Sequence, residues 1–245
     1  MEESKTSTRL LLTSVVVMLV VLVTGPLGYK FGLAPLMPSM TSVMIGVIGG
    51  LLVSLVSLGM WVVAFKQGKR RDKLLLLVSL VVGLLPMGAM APQIIKAQSV
   101  PPIHDITTDT QEPPEYSAVI ALRADAANDL RYGTEALSPE RHAELQLTAY
   151  PNVKTSYSEL DVASAVARAR TVLNDQGLEI VDVNVDEGIV EATATTFWFG
   201  FKDDVVVRVR EHESGSKIDV RSVSRVGTSD LGANAARIER FLNTF

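Results

Sequence analysis

The sequence predicts a three-helix transmembrane N-terminal unit plus an α+β outer domain, a four-stranded antiparallel sheet flanked by helices. Three observations predict it. Residues 10–28, 41–65 and 74–91 are long apolar runs with no Asp, Glu, Lys, Arg or His. The charge is split: residues 1–91 carry eight Lys/Arg against three acids, a net of +5, and residues 92–245 carry fifteen against twenty-four, a net of -9. From residue 156 onward, helical periodicity gives way to four β-branched, alternating runs and then returns.

Each apolar run is about 18–25 residues, enough to cross roughly 30 Å of hydrocarbon at about 1.5 Å per residue. None has the polar face of a soluble core helix. Lys5 and Arg9 precede the first run, and Lys66, Lys69, Arg70, Arg71 and Lys73 fill the second connection, whereas the first connection holds only Lys30. The basic ends belong in the cytoplasm. The N-terminus is therefore expected inside and residues 92–245 outside, which in a bacterium is the periplasm across the inner membrane. A cleaved signal peptide is the alternative for the first run, although "TGPLGYK" lacks an A-x-A site. Ser42, Gly46, Gly50 and Ser54 lie four apart on one helix face. Such a stripe lets another helix approach closely, within this unit or in a second copy. Gly25–Pro26 and "LLPMGAMAP" mark helix ends or kinks. No ionisable residue sits inside a run, which argues against a pump or transporter.

Residues 92–115 are rich in proline and polar residues and read as an extended linker. The outer domain then spans 116–245. Short helices are expected near 115–122 and 139–147, the second capped by Ser138 with Pro139 at its first position. "SELD" at 158–161 has capping-box form, and Leu160, Ala163, Val166, Ala167 and Leu173 follow at helical spacing up to Gly177. "LEIVDVNV", "IVEATATTFWFG", "KDDVVVRVR" and "KIDVRSVSRV" are the four strands. A last helix runs over about 231–242 behind a Ser229/Asp230 cap.

"PPIHDITTD", "AYP" and "FWFGFKDDVVVRVR…DVRSVSRVGTSDLGANAARIERF" together resemble domain-of-unknown-function family 1499, found in bacterial and plastid proteins. The resemblance covers about residues 101–241 and implies that they form one unit. It supplies no activity and no catalytic residue, and it does not account for the three membrane runs.

If the last hairpin turns at Ser214–Gly215, Asp204 faces Arg225, Arg208 faces Arg221, and Arg210 faces Asp219. Val205, Val207, Val209, Ile218 and Val220 then share the opposite, buried face. The Arg208–Arg221 pair needs neutralising, by an aspartate or by a bound anion. One reading is a solvated salt-bridge ladder. The other is an anion site of Asp204, Arg208, Arg221, Arg225, Asp230 and Asn234, with guanidinium forks suited to carboxylate or phosphate. In "FWFGF", one aromatic set is expected in the core and the rest at headgroups or a partner. The absence of cysteine excludes disulfides and thiolate chemistry. His104, Asp105 and Asp109 have no diagnostic metal spacing, "GTSDLG" lacks a P-loop lysine, and no G-x-S-x-G elbow is present. No metal or cofactor is called for. The acidic second half argues against nucleic acid.

The leading expectation is an integral membrane protein of the cell envelope. Its bilayer-anchored outer domain would act as a binding module for a protein partner or an anionic ligand. The alternatives are an enzyme acting on an envelope component and an accessory subunit of a larger membrane complex.

Overall fold

The computed structural model describes residues 6–68, 70–134 and 136–245. Lys5 and Lys69, used above for orientation, lie outside the described residues. The chain divides into two compact units. One holds residues 1–95 with Trp198–Gly200; the other holds the rest of 96–245.

The first unit is built on α1 (Thr6–Lys30), α2 (Leu36–Lys66) and most of α3 (Arg70–Ser99). All three are long and apolar enough to cross a membrane. Each exceeds its expected span at both ends, and α1 runs through Pro26 and α3 through Pro86 and Pro92. The prolines therefore sit inside helices rather than at their ends. Helices in lipid tolerate this where neighbours satisfy the freed backbone groups. Leu10, Leu52, Leu55 and Leu85 point outward, while Ser39, Gly46, Gly50 and Ser54 are buried. The small-residue stripe is occupied within the chain. A Cβ on Gly46 would lie 2.7 Å from Leu22 Cβ on α1, and one on Gly50 would lie 2.7 Å from Gly83 O on α3. Ser54 Oγ lies 2.8 Å from Gly50 O and 3.0 Å from Leu80 O, so one hydroxyl bridges α2 and α3.

Gly50→Leu is expected to force α2 and α3 apart and to destabilise the unit by about 1–3 kcal/mol, the usual cost of overpacking. Gly59→Leu is the control, since a Cβ there meets nothing within 4 Å. Thermal unfolding of both variants in the same detergent checks this: only the first should lose melting temperature.

The second unit carries β1 (Asp105–Thr107), a 3-10 helix (Ala118–Leu122), α4 (Pro139–Ala149) and β2 (Ser156–Ser158). Then come α5 (Val162–Asp175), β3 (Glu179–Asn184), β4 (Ile189–Thr195), β5 (Lys202–His212), β6 (Gly215–Ser224) and α6 (Ala233–Thr244). The sheet has six strands, not the expected four, in the order β1-β6-β5-β4-β3, with β2 also on β6. β1 pairs with Arg221–Val223 and β2 with Ser216–Ile218, so two three-residue strands share one edge of β6. Segments this short carry no readable alternation. The stretch expected as linker 92–115 instead contains the end of α3 and all of β1.

α5 and α6 pack Val166, Leu173, Ile238 and Phe241 against Val205, Val207, Val209, Ile218 and Val220. The buried positions of α5 are Ala165, Val166, Ala169, Val172 and Leu173. Ala163 and Ala167 are exposed, and the cap is Asp161, accepting from Ser164 N at 2.7 Å, rather than Ser158. α6 starts two residues late because Leu231 and Gly232 take left-handed conformations, φ 53° and 73°. Asp230 still caps it, accepting from Gly232 N and Asn234 N at 2.7 Å each.

Candidate functional site

The other face of the sheet holds the arginines singled out above. It is not a solvated ladder: Tyr116 and Val119, from the segment 108–132, pack against Val206 and Val223 of the sheet. The strand register also differs from expectation. The hairpin turns at Glu213–Ser214, with Glu213 at φ 49° and His212 opposite Gly215. Moving the pairing by two residues keeps every side chain on its expected face but changes its neighbour. Arg208 faces Asp219, Arg221 faces Val206, and Asp204 faces Val223. The like-charge Arg208–Arg221 pair does not form.

Arg221 is 3% exposed. Its Nε and Nη2 donate to the two oxygens of Asp105, at 3.0 and 2.7 Å. Its Nη1 donates to Pro114 O at 3.1 Å, and Nη2 also donates to Leu130 O at 2.6 Å. The guanidinium carbon lies 5.3 Å from the Tyr116 ring and 5.8 Å from the Tyr132 ring. Burial alone would lower its pKa, but the Asp105 carboxylate outweighs burial and raises it. The Tyr116 hydroxyl, its own pKa raised by burial, donates to the carbonyls of Asp204 and Arg221.

Asp204, fully buried, is the second centre. It accepts from Thr193 Oγ1 at 2.7 Å, from Arg225 Nε and Nη2 at 2.9 and 2.8 Å, and from Arg123 Nη1. Burial pushes its carboxyl pKa up, and the bonds from Arg225, Thr193 and Arg123 more than reverse this, leaving it lowered. Both guanidinium groups also tie down the covering segment, Arg225 through Leu122 O at 2.6 Å and Arg123 through Asn128 O at 2.7 Å.

Asp219 is the third centre. Arg208 and Arg210 reach its Oδ2 at 3.2 and 3.3 Å, and Thr108 and Thr155 donate to its Oδ1. Arg208 Nη2 also bonds Glu112 O at 2.8 Å. Glu191, fully buried on β4, accepts from the backbone N of Ser117 at 2.6 Å and of Val119 at 2.8 Å, capping the 3-10 helix.

The six expected ligand residues therefore do not form one cluster. Asp204 and Arg225 meet. Arg221 and Arg208 each have a separate aspartate. Asn234 lies on the helix-covered face, where its Nδ2 donates to His104 O and Ser224 Oγ and its Oδ1 accepts from Ser222 Oγ and Arg237. Asp230 stays with the α6 cap, its carboxyl pKa raised by burial against the pull of the two backbone N–H groups. Of the groups around the arginines, the carboxylate of Asp105 comes from an edge strand, and Arg123, which shares Asp204 with Arg225, comes from the covering segment. Asp204 and Asp219 sat on strands whose alternation was readable.

Residues 105–245 match the family described as protein of unknown function (DUF1499), a match that begins at the carboxylate holding Arg221 and covers more than half of the chain. The chain belongs to this family. No curated protein and no solved structure matches it. The DUF1499 domain thus takes in β1 as well as the four longer strands, and α1–α3 precede it.

α4 completes the edge of the DUF1499 sheet. Gln146 accepts from Thr107 N at 3.0 Å and donates to Thr107 O at 2.7 Å, as a neighbouring strand would. One turn earlier, His142 Nε2 meets Asp105 O at 2.6 Å, and its ring lies 4.6 Å from that of Tyr132. As Asp105 O can only accept, the imidazole donates from Nε2. Its Nδ1 has no polar partner among the described residues. Burial lowers the pKa of His142 against the opposing pull of Asp105. Below pH ~6.5 the unfolded chain takes up a proton that the folded domain refuses. Stability should thus be full above that pH and fall below it, by up to about 1.4 kcal/mol per pH unit until the lowered value is reached. Comparing melting temperatures of the parent and His142→Gln between pH 7.5 and 5.5 checks this. The variant should lose most of the slope.

Proposed function

We propose that the chain is a multi-pass inner-membrane protein of a bacterial envelope whose periplasmic DUF1499 domain is a docking module for a protein partner. The membrane part rests on the three apolar helices and on the basic residues Arg9, Lys66, Arg71 and Lys73 at their N-terminal and second-connection ends. The docking part rests on one observation. The guanidinium groups of Arg123, Arg221 and Arg225 spend their donors on the domain's own aspartates and carbonyls. An anionic ligand would have to displace Asp105 or Asp204 to reach them. A protein partner needs neither, and recognition then falls to the acidic exterior of residues 92–245.

Purification of the tagged full-length chain from membranes in mild detergent tests this reading. A protein that stays at near-stoichiometric amount, and is lost when surface carboxylates such as Glu144 and Glu159 are reversed to lysine, supports it. If the chain elutes alone and is instead stabilised by inorganic phosphate, the anionic-ligand reading replaces it. External protease cleaving 105–245 only after outer-membrane permeabilisation supports the orientation.

A further inference from the structure

The run "FWFGF" is not absorbed by the core or by the docking reading. β4 ends at Thr195, and β5 begins at Lys202. Between them Thr196 N donates to Phe201 O at 2.8 Å and Phe201 N to Thr196 Oγ1 at 2.9 Å, closing a tight loop with Phe197–Gly200 at its tip. The core placement expected for one aromatic set is therefore not met at Phe197 or at Trp198, which belong to opposite sets. Phe197 is 83% exposed, and Trp198 is 53% exposed, because the strand stops before them. Loop tips are ordinarily built from Gly, Asn, Asp, Ser and Pro, so a closed tip of three consecutive aromatics calls for an apolar or interfacial surrounding.

Its place in the molecule says which. Trp198–Gly200 belongs to the compact unit of the membrane helices. Within that unit the ring of Phe199 lies 6.3 Å from that of Tyr29, tilted by 56°. A Cβ on Gly200, which has φ 69°, would stand 3.0 Å from Lys30 Cγ. Tyr29 and Lys30 are the last two residues of α1. That is where an apolar span leaves the hydrocarbon, and Tyr, Trp and Lys are the residues that anchor such ends at the headgroups.

We propose that the Trp198–Gly200 loop is an interfacial lipid anchor, with the Trp198 indole resting in the headgroup layer beside the end of α1. Indole suits that layer because its ring is apolar and its N–H can bond to phosphate or carbonyl oxygens. This rests on α1 spanning the bilayer, and the test separates the two claims.

The chain has two tryptophans, Trp61 on α2 and Trp198. The full-length Trp61→Phe chain, reconstituted in phosphatidylcholine/phosphatidylglycerol vesicles, reports on Trp198 alone. The Trp198→Phe chain reports on Trp61, and its difference from the parent serves if Trp61→Phe does not fold. Trp198 should be quenched most by lipids spin-labelled near the headgroup and several-fold less by aqueous iodide than free indole is. Iodide quenching of Trp198 as strong as that of free indole, with no quenching by labelled lipid, overturns the anchor when Trp61 is still quenched by lipid. Loss of lipid quenching at both tryptophans overturns the spanning helices as well.

Discussion

Arg221→Met is expected to destabilise the DUF1499 domain by about 3–5 kcal/mol, the range for breaking a buried ion pair from one side. Methionine fills much of the volume between Tyr116 and Tyr132, so the loss is electrostatic. Asp105 would be left with its carboxylate buried and its bidentate partner gone, and Pro114 O and Leu130 O would lose their donor. Replacing both partners, Asp105→Leu with Arg221→Met, should recover most of the loss, because a well-packed apolar pair often substitutes for a buried ionic one at little cost. Urea unfolding of the full-length chain in detergent, followed by hydrogen exchange in β6, measures both. A single-variant loss below about 1 kcal/mol is what a solvent-exposed pair would give, and would contradict the covered face.

Asp204→Ala carries an effect of similar size and a different signature. Its removal leaves Arg123 and Arg225 side by side with no shared carboxylate and leaves Thr193 without its acceptor. A loss of about 3–5 kcal/mol is expected. The two guanidinium groups hold the covering segment through Asn128 O and Leu122 O, so residues 118–128 should become protease-sensitive before the sheet unfolds. Adding Arg123→Met should restore part of the stability by removing one of the two like charges. The lowered carboxyl pKa of Asp204 fixes the pH dependence. Its contribution is present above the ordinary carboxyl value of about 3.9 and is lost as the pH falls through the lowered folded value. The parent should therefore lose stability in strong acid more steeply than Asp204→Asn.

Much of this was legible from residue order, and the remainder fails for identifiable reasons. The apolar runs gave the three helices, and the alternation of Val205, Val207 and Val209 gave the correct inner face of β5. That face survived a two-residue error in the hairpin, because side-chain direction has a period of two. Partners do not have that tolerance. The same error placed Arg208 against Arg221 instead of Asp219. β1 and β2 are three residues each and pair with β6 across long sequence separations, so neither propensity nor period reveals them. With β1 unseen, Asp105 looked like a linker residue, and the neutralising group for Arg221 could not be named. Glu191 sat in plain view on a β-branched strand, but the backbone N–H groups it caps come from a 3-10 helix more than seventy residues earlier. Asp230 and Asn234 were grouped with the arginines by closeness in sequence. The glycine break and the late start of α6 carry them to the other side of the sheet.

Segment 108–132 closes over the charged sheet face and makes its arginines internal. The most direct measurement is hydrogen exchange at the amides of Ser117, Ala118 and Val119 in the full-length chain. All three donate to the Glu191 carboxylate, at 2.6, 3.1 and 2.8 Å. Protection approaching that of β5 and β6 is expected, and its collapse in Glu191→Ala. Exchange at the rate of an open loop while β5 and β6 stay protected would contradict it, and would return Arg221 and Arg225 to the list of groups free to bind a ligand.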